Sequence, residues 1–70
     1  MGPRQIAVAE FVCKGYWNAD IATALKLSER TVKAYVSDLL LFYNAANRTE
    51  LAGLYSMAKG RHFNVTENDQ

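Results

Sequence analysis

The chain has 70 residues, 50% of them hydrophobic, and its 8 basic and 7 acidic side chains leave a formal net charge of +1. A chain of this length forms one domain with a limited core, and no stretch approaches the ~20 apolar residues of a membrane span. The single Cys13 excludes an internal disulfide and has no neighbour at zinc-ligand spacing. We therefore expect a reduced, cytoplasmic protein without metal or other cofactor.

The first predicted helix begins at Pro3, because proline suits the first helical position. Its buried side consists of apolar residues at helical spacing: Val8, Phe11 and Val12. Gly15 is predicted to end the helix in the left-handed conformation. Asn18 is then expected to cap a second helix, whose inward residues are Ile21, Ala22 and Leu25. Lys26 and Leu27 form the following turn, with Leu27 filling the core between two helices.

The third predicted helix has two distinct faces. Ser28 is its expected cap, and Asn44 is the residue expected to end it. One side is an apolar stripe, formed by Val32, Val36, Leu39 and Tyr43. The opposite side carries short polar and cationic residues: Arg30, Lys33, Ala34 and Ser37. A helix that buries one stripe and offers such side chains on the other fits the major groove of DNA.

A fourth helix is predicted to begin at a capping box, in which Glu50 reaches back to the backbone of Asn47. We expect it to continue to about Lys59 and to stop at Gly60, leaving residues 61–70 as a flexible tail. Its apolar stripe comprises Leu51, Leu54, Tyr55 and Ala58. These residues either pack on the third helix of the same chain or form a two-fold dimer contact.

Several sequence segments, in their order and at their intervals, resemble the LuxR/GerE-type helix-turn-helix domain. They are Pro3 and Arg4, Gly15, residues 18–22, residues 28–33 and residues 47–52. The resemblance implies an all-α, four-helix domain over residues 1–60, a homodimer through the last helix and a role in transcription. It also implies that double-stranded DNA is the partner.

The candidate DNA-binding residues come partly from the pattern and partly from the resemblance. Arg30 and Lys33 project from one face and reach base edges or phosphates; relatives use the lysine equivalent to Lys33 for base contacts. By the resemblance, Ala34 and Ser37 occupy base-reading positions, and Thr31 and Tyr35 are better placed for phosphates. Two further candidates lie at helix starts, where N–H groups attract a phosphate: Asn18 and Ser28.

Three departures from the family pattern reduce the expected affinity for DNA. Ala19 replaces a lysine that grips the backbone in relatives, Asp38 adds a carboxylate near the phosphate path, and Leu41 and Phe42 replace a basic pair. Each lost phosphate contact lowers the salt slope by nearly one unit. Leu41 or Phe42 must also point outward, which suggests a surface for another protein. Trp17 either extends that surface or closes the core, and we expect the latter.

Two functions follow as hypotheses. The first is a stand-alone dimeric transcriptional regulator that binds a pseudo-palindromic operator. The second is a protein-interaction module or anti-regulator that pairs with a larger transcription factor through the fourth helix or the Leu41 and Phe42 surface. An enzyme is not expected, because His62 has no nucleophile or ligand cluster beside it and so small a chain offers no evident concave site.

Overall fold

The computed structural model describes the backbone of residues 1–68 and the side chains of residues 1–60. Its four helices, in chain order, are α1 (Pro3–Cys13), α2 (Asn18–Leu25), α3 (Glu29–Phe42) and α4 (Arg48–Asn68). The described part of the chain contains no strand, so the prediction of an all-α, four-helix domain is confirmed. Within residues 1–68, none of the helices combines the length and the apolar character needed to cross a membrane.

The two ends of α1 follow from local backbone chemistry. Gly2 is extended and Pro3 is the first helical residue, as predicted. Gly15 has a φ of +83°, and its N–H donates to the carbonyl of Val12 at 3.0 Å. A residue with a Cβ atom is strained at such a φ, so glycine ends the helix here at little steric cost. The predicted stop is confirmed.

The connection between α2 and α3 is a tight turn of three residues. Lys26 takes the left-handed conformation, with φ +57° and ψ +43°, and the N–H of Leu27 donates to the carbonyl of Ala22 at 2.9 Å. Leu27 is half-buried and packs against the core, as predicted. Because the chain reverses over so few residues, α2 and α3 pack directly against each other. This arrangement is a helix-turn-helix unit.

The far end of α3 is set by Asn44. Phe42 is the last helical residue, Tyr43 is the C-cap, and Asn44 follows with a φ of +53°. The N–H of Ala45 donates back to the carbonyl of Leu40 at 2.8 Å, which satisfies one of the free carbonyls. Asparagine tolerates the left-handed conformation better than most residues with a side chain. The prediction that Asn44 ends the helix is confirmed.

The start of α4 matches the predicted capping box with one change. The Asn47 Oδ1 atom accepts from the Glu50 N–H at 2.9 Å, as expected. The Glu50 carboxylate accepts from the N–H of Ala46 at 2.7 Å, so it reaches one residue beyond Asn47. Both bonds satisfy N–H groups that the first turn leaves unpaired.

The predicted stop of α4 at Gly60 is wrong, because the helix continues through Gly60 to residue 68. Glycine ends a helix when the backbone turns left-handed, and among the described glycines only Gly15 has a positive φ. Within a helix, glycine costs only about 1 kcal/mol relative to alanine. The predicted flexibility of residues 61–70 lies outside the described side chains and stays a prediction.

The core lies where α3 contacts all three other helices, with α4 also packed on α1. The predicted apolar stripe of α3 faces this core, with Val32, Val36 and Leu39 buried and Tyr43 half-buried. The other buried residues are Val8, Ala9, Val12, Ile21, Ala22, Leu51 and Tyr55. Full burial of such a side chain stabilises the fold by roughly 1.5–3 kcal/mol. Burial of the stripe fixes the rotation of α3 and turns its opposite face to solvent.

Candidate nucleic-acid interface

The first turn of α3 is held by Ser28. The Thr31 N–H donates to the Ser28 Oγ atom at 3.0 Å, and the Ser28 hydroxyl donates to the Thr31 Oγ1 atom at 2.9 Å. Ser28 is therefore the helix cap, as predicted. These bonds leave the Thr31 hydroxyl hydrogen available to a ligand, and they fix the backbone from which the next residues project.

The outward face of α3 carries the cations that the sequence placed there. Arg30, Lys33, Ala34 and Ser37 are all exposed. Within the part of the chain that the structure describes, neither Arg30 nor Lys33 forms an ion pair or a side-chain hydrogen bond. Both cations are therefore free to contact an external anion or base edge. Ala34 and Ser37 lie beside them. Because both side chains are short, another molecule can approach the middle of this face closely.

The edge of this face is formed by Thr31 and Tyr35, which are half-buried. Tyr35 packs partly against the core and also lines an open cleft of about 530 Å³. Residues 2–5 at the start of α1 line the same cleft, among them Arg4. Sequence reasoning gave Arg4 no role, and no local signal links it to Tyr35, because only the packing of α1 across α3 brings the two residues together.

Asn18 does not cap α2, so this prediction is wrong. The cap position is occupied by Trp17, which is extended with φ −85° and ψ 162°, and Asn18 is already helical. The Asn18 Oδ1 atom instead accepts from Arg48 Nη1 at 2.7 Å. The side chain of Asn18 therefore anchors the start of α4, and only its amide hydrogens and its backbone N–H are left for a phosphate.

Trp17 does not close the core, since 71% of its surface is exposed. The Arg48 guanidinium lies over its indole ring, 5.9 Å from the ring centroid. The two residues border an open groove of about 310 Å³ between α1 and α4, which also exposes Cys13 and Ala52. Cys13 is half-buried beside the core and donates weakly to the Ala52 carbonyl at 3.5 Å.

The apolar stripe of α4 is predicted either to pack within its own chain or to form a dimer contact, and its residues divide between the two. Leu51 is completely buried and Tyr55 nearly so, and both belong to the core of the chain itself. They pack on their own chain and present little surface to a second copy. Leu54 is half-buried and Ala58 is exposed, so these two residues keep surface for a dimer contact.

The departures from the family pattern all lie at the surface. Ala19 and Asp38 are exposed, and Leu41 and Phe42 are 81% and 66% exposed. The prediction that Leu41 or Phe42 points outward is confirmed for both residues. Leu41 follows Lys33, Ala34 and Ser37 along the outward face of α3, since residues seven and eight apart share one side of a helix. The C-terminal half of this face therefore carries an apolar side chain and the Asp38 carboxylate, where its N-terminal half is cationic.

The described residues contain no group of three or more histidine, cysteine or acidic side chains that could hold a metal ion. Burial lowers the pKa of Arg48, whose guanidinium is enclosed by the loop between α1 and α2. Arginine remains charged at neutral pH even so. The groups available to a ligand at this surface are hence cations and hydroxyls on and beside α3.

Comparison with known proteins agrees with this geometry. Residues 1–55 match the family described as bacterial regulatory proteins, luxR family. Over 52 residues, or 74% of its length, the chain is 50% identical to the two-component response regulator PprB of Pseudomonas aeruginosa strain PAO1, and it spans 19% of that relative. No solved structure gives a significant match. With four helices, a helix-turn-helix unit and a family match over most of its length, the chain belongs to the LuxR family of DNA-binding regulatory proteins.

Proposed function

We propose that this chain is a sequence-specific transcriptional regulator that reads the major groove of duplex DNA with the outward face of α3. The observation that carries the proposal is the pair of exposed cations, Arg30 and Lys33, on the first half of that helix, which are unpaired within residues 1–60. A guanidinium or ammonium group in this position donates to the O6 and N7 atoms of guanine. The protein acts in the cytoplasm, where a bacterial regulator meets its DNA.

The remaining contacts of the proposed interface divide by chemistry. Ala34 offers a methyl group to thymine and Ser37 one hydroxyl, while Thr31 and Tyr35 face the phosphates. The backbone N–H groups at the starts of α2 and α3, beside Asn18 and after Ser28, attract further phosphates. The full proposed set is Asn18, Ser28, Arg30, Thr31, Lys33, Ala34, Tyr35 and Ser37.

The proposal includes a homodimer through α4. Leu54 and Ala58 supply the accessible part of its apolar stripe. A two-fold axis along this helix places two copies of α3 about one helical turn of DNA apart, ~34 Å, so that they read a pseudo-palindromic site. Each copy on its own contacts few phosphates, and pairing doubles the number of contacts.

Selection from a random duplex pool, followed by an anisotropy titration, tests this function. We expect a palindromic consensus and salt-dependent binding, with Lys33→Ala weakening binding to the preferred duplex by roughly five- to 150-fold, equivalent to about 1–3 kcal/mol. Lys14→Ala is the matched control, because Lys14 is also exposed but lies at the end of α1. The proposal fails if no duplex binds at about 50 mM salt or if the two variants behave alike.

A second candidate function is pairing with a larger transcription factor. The exposure of Leu41 and Phe42 favours it, because adjacent large apolar side chains at a surface are typical of a protein contact. In a pull-down from host lysate, recovery of a regulator by the wild-type chain and its loss with Leu41→Gln supports this function. Tight sequence-specific binding to a duplex, with no regulator recovered, contradicts it.

A further inference from the structure

The start of α1 and the middle of α3 share an open cleft. Its lining consists of residues 2–5 and Tyr35, and its volume is about 530 Å³. Because α1 packs across α3, the first turn of α1 lies beside the outward face of the helix that carries Arg30 and Lys33. The cleft is thus an extension of the candidate interface on the Tyr35 side.

The polar side-chain groups of this cleft are suited to an anion. Arg4 is exposed and forms no ion pair or side-chain hydrogen bond within residues 1–60. The Tyr35 hydroxyl likewise has no hydrogen-bond partner in that range. Gln5 is already used, since its Oε1 atom accepts from the Gly2 N–H at 3.3 Å. Among the residues whose side chains are described, no carboxylate lines the cleft, so a cation and a hydroxyl donor face solvent there without a competing acid.

We propose that the Arg4 guanidinium and the Tyr35 hydroxyl bind one backbone phosphate of duplex DNA, beside the groove that α3 enters. This inference rests on the proposed function. A helix in the major groove has a phosphate strand along each edge, and groups at the edge of its exposed face reach phosphates while those in the middle reach bases. Tyr35 lies at such an edge, and Arg4 extends the contact outward from it.

The donor groups of Arg4 and Tyr35 are suited to a phosphate. A guanidinium donates two parallel N–H bonds to phosphate oxygens, and the tyrosine hydroxyl adds a third donor from another direction. Such a contact carries no sequence information, because every nucleotide has the same phosphate. Arg4 is therefore expected to strengthen binding equally on preferred and unrelated duplexes, and to release about one counterion on binding.

The test uses the full chain and a fluorescein-labelled duplex of about 30 base pairs, roughly three helical turns, carrying the selected site or a scrambled one. Affinity is measured from low to high salt for the wild type, Arg4→Gln, Tyr35→Phe and Lys14→Gln. Lys14→Gln removes the same charge from the opposite end of α1, ~15 Å away, beyond the Debye length of ~10 Å at 0.1 M salt. Circular dichroism melting checks that each variant keeps the wild-type Tm.

If Arg4 and Tyr35 bind one phosphate, the variants are expected to differ from the wild type in salt slope and affinity. Arg4→Gln lowers the salt slope by about 0.9 for each chain that is bound, and it weakens binding roughly five- to tenfold at 0.1 M salt, equally on both duplexes. Tyr35→Phe weakens binding less, and its effect shrinks when Arg4 is already replaced. The effect of Arg4→Gln disappears on a duplex in which one phosphate beside each half of the site is a neutral methylphosphonate.

Three results overturn the inference while leaving the proposed function standing. In the first, Arg4→Gln matches Lys14→Gln. In the second, Arg4→Gln loses the preference for the selected duplex, which makes Arg4 a base reader. In the third, no symmetric pair of methylphosphonates, one in each half of the site, removes its effect. Failure of the wild-type chain to bind either duplex overturns the proposed function itself, so the two failures are distinguishable.

Discussion

Glu10 on α1 is the residue that ties α4 to the rest of the fold. Its carboxylate accepts from the Tyr55 hydroxyl at 2.8 Å and from the Lys59 ammonium at 2.7 and 2.8 Å. These two donors, Lys59 first, lower the pKa of Glu10. Burial, and then the Glu10 carboxylate, raise the pKa of Tyr55 from 10.0 to about 12. The contact therefore depends on an ionised Glu10 and a neutral Tyr55.

This coupling predicts how the free energy of unfolding changes with pH. Glu10 stabilises the fold above its ordinary pKa of 4.5, and that contribution falls as pH drops through its lowered folded pKa. Tyr55 contributes below its ordinary pKa of 10.0, and that contribution is lost as pH rises towards about 12. Tyr55→Phe is expected to cost about 0.5–1.5 kcal/mol at neutral pH and to remove the part of the alkaline loss that Tyr55 causes. Urea unfolding at several pH values measures both effects, and an unchanged alkaline limb contradicts the prediction.

At the scale of elements, the start of α4 is attached to the loop between α1 and α2. Arg48 donates to the Asn18 Oδ1 atom and to the Tyr16 carbonyl, and it lies over the Trp17 ring. One side chain thus joins the helix-turn-helix unit to the helix proposed for dimer formation. The orientation of α4 relative to α3 depends on this contact as well as on the buried Leu51.

Replacement of Arg48 tests this attachment. Arg48→Ala leaves two acceptors without their charged donor and is expected to lower the free energy of unfolding by about 1–3 kcal/mol. Thr49→Ala is the matched control, since Thr49 is the exposed neighbour and its loss is expected to stay within about 0.5 kcal/mol. Guanidinium unfolding followed by circular dichroism compares the two variants. Equal stabilities for both contradict the role given to Arg48.

At the scale of the whole molecule, charge is distributed unevenly over the outward face of α3. Its first half carries the exposed Arg30 and Lys33, and its second half carries Asp38 and the 81% exposed Leu41. A net charge of +1 offers little general attraction to DNA. Under the proposed function, the affinity of the chain depends on a few well-placed contacts at one end of this helix and on pairing of two copies.

Leu41→Lys is therefore expected to strengthen binding to any duplex and to steepen the salt slope by about 0.9 for each chain, because it adds a cation near the phosphates. Because Leu41 is exposed, the substitution is expected to change the free energy of unfolding of the protein by less than about 0.5 kcal/mol. Leu41→Gln is the control that removes the apolar side chain without adding charge. Anisotropy titrations compare the three chains, and an equal gain with Leu41→Gln contradicts the electrostatic explanation.

The sequence by itself determined the helices and most of their ends. Gly15, Ser28 and Asn44 act through their own backbone and the nearest turn, so their effects are local and readable from residue type. The helical spacing of the stripe on α3 likewise determined which face is buried and which carries Arg30 and Lys33. Gly60 shows the limit of such reading, because a glycine ends a helix only if the backbone turns there.

Only the tertiary structure decided which side chains meet across helices. Asn18 has the right residue type for a cap, yet its side chain accepts a hydrogen bond from Arg48, which lies far along the chain. Trp17 is apolar but exposed, and its ring contacts the Arg48 guanidinium instead of the core. Packing also decided which residues of the α4 stripe are buried and which stay accessible, and it placed Arg4 beside Tyr35. Local residue type fixes backbone conformation, whereas such contacts depend on the positions of whole helices.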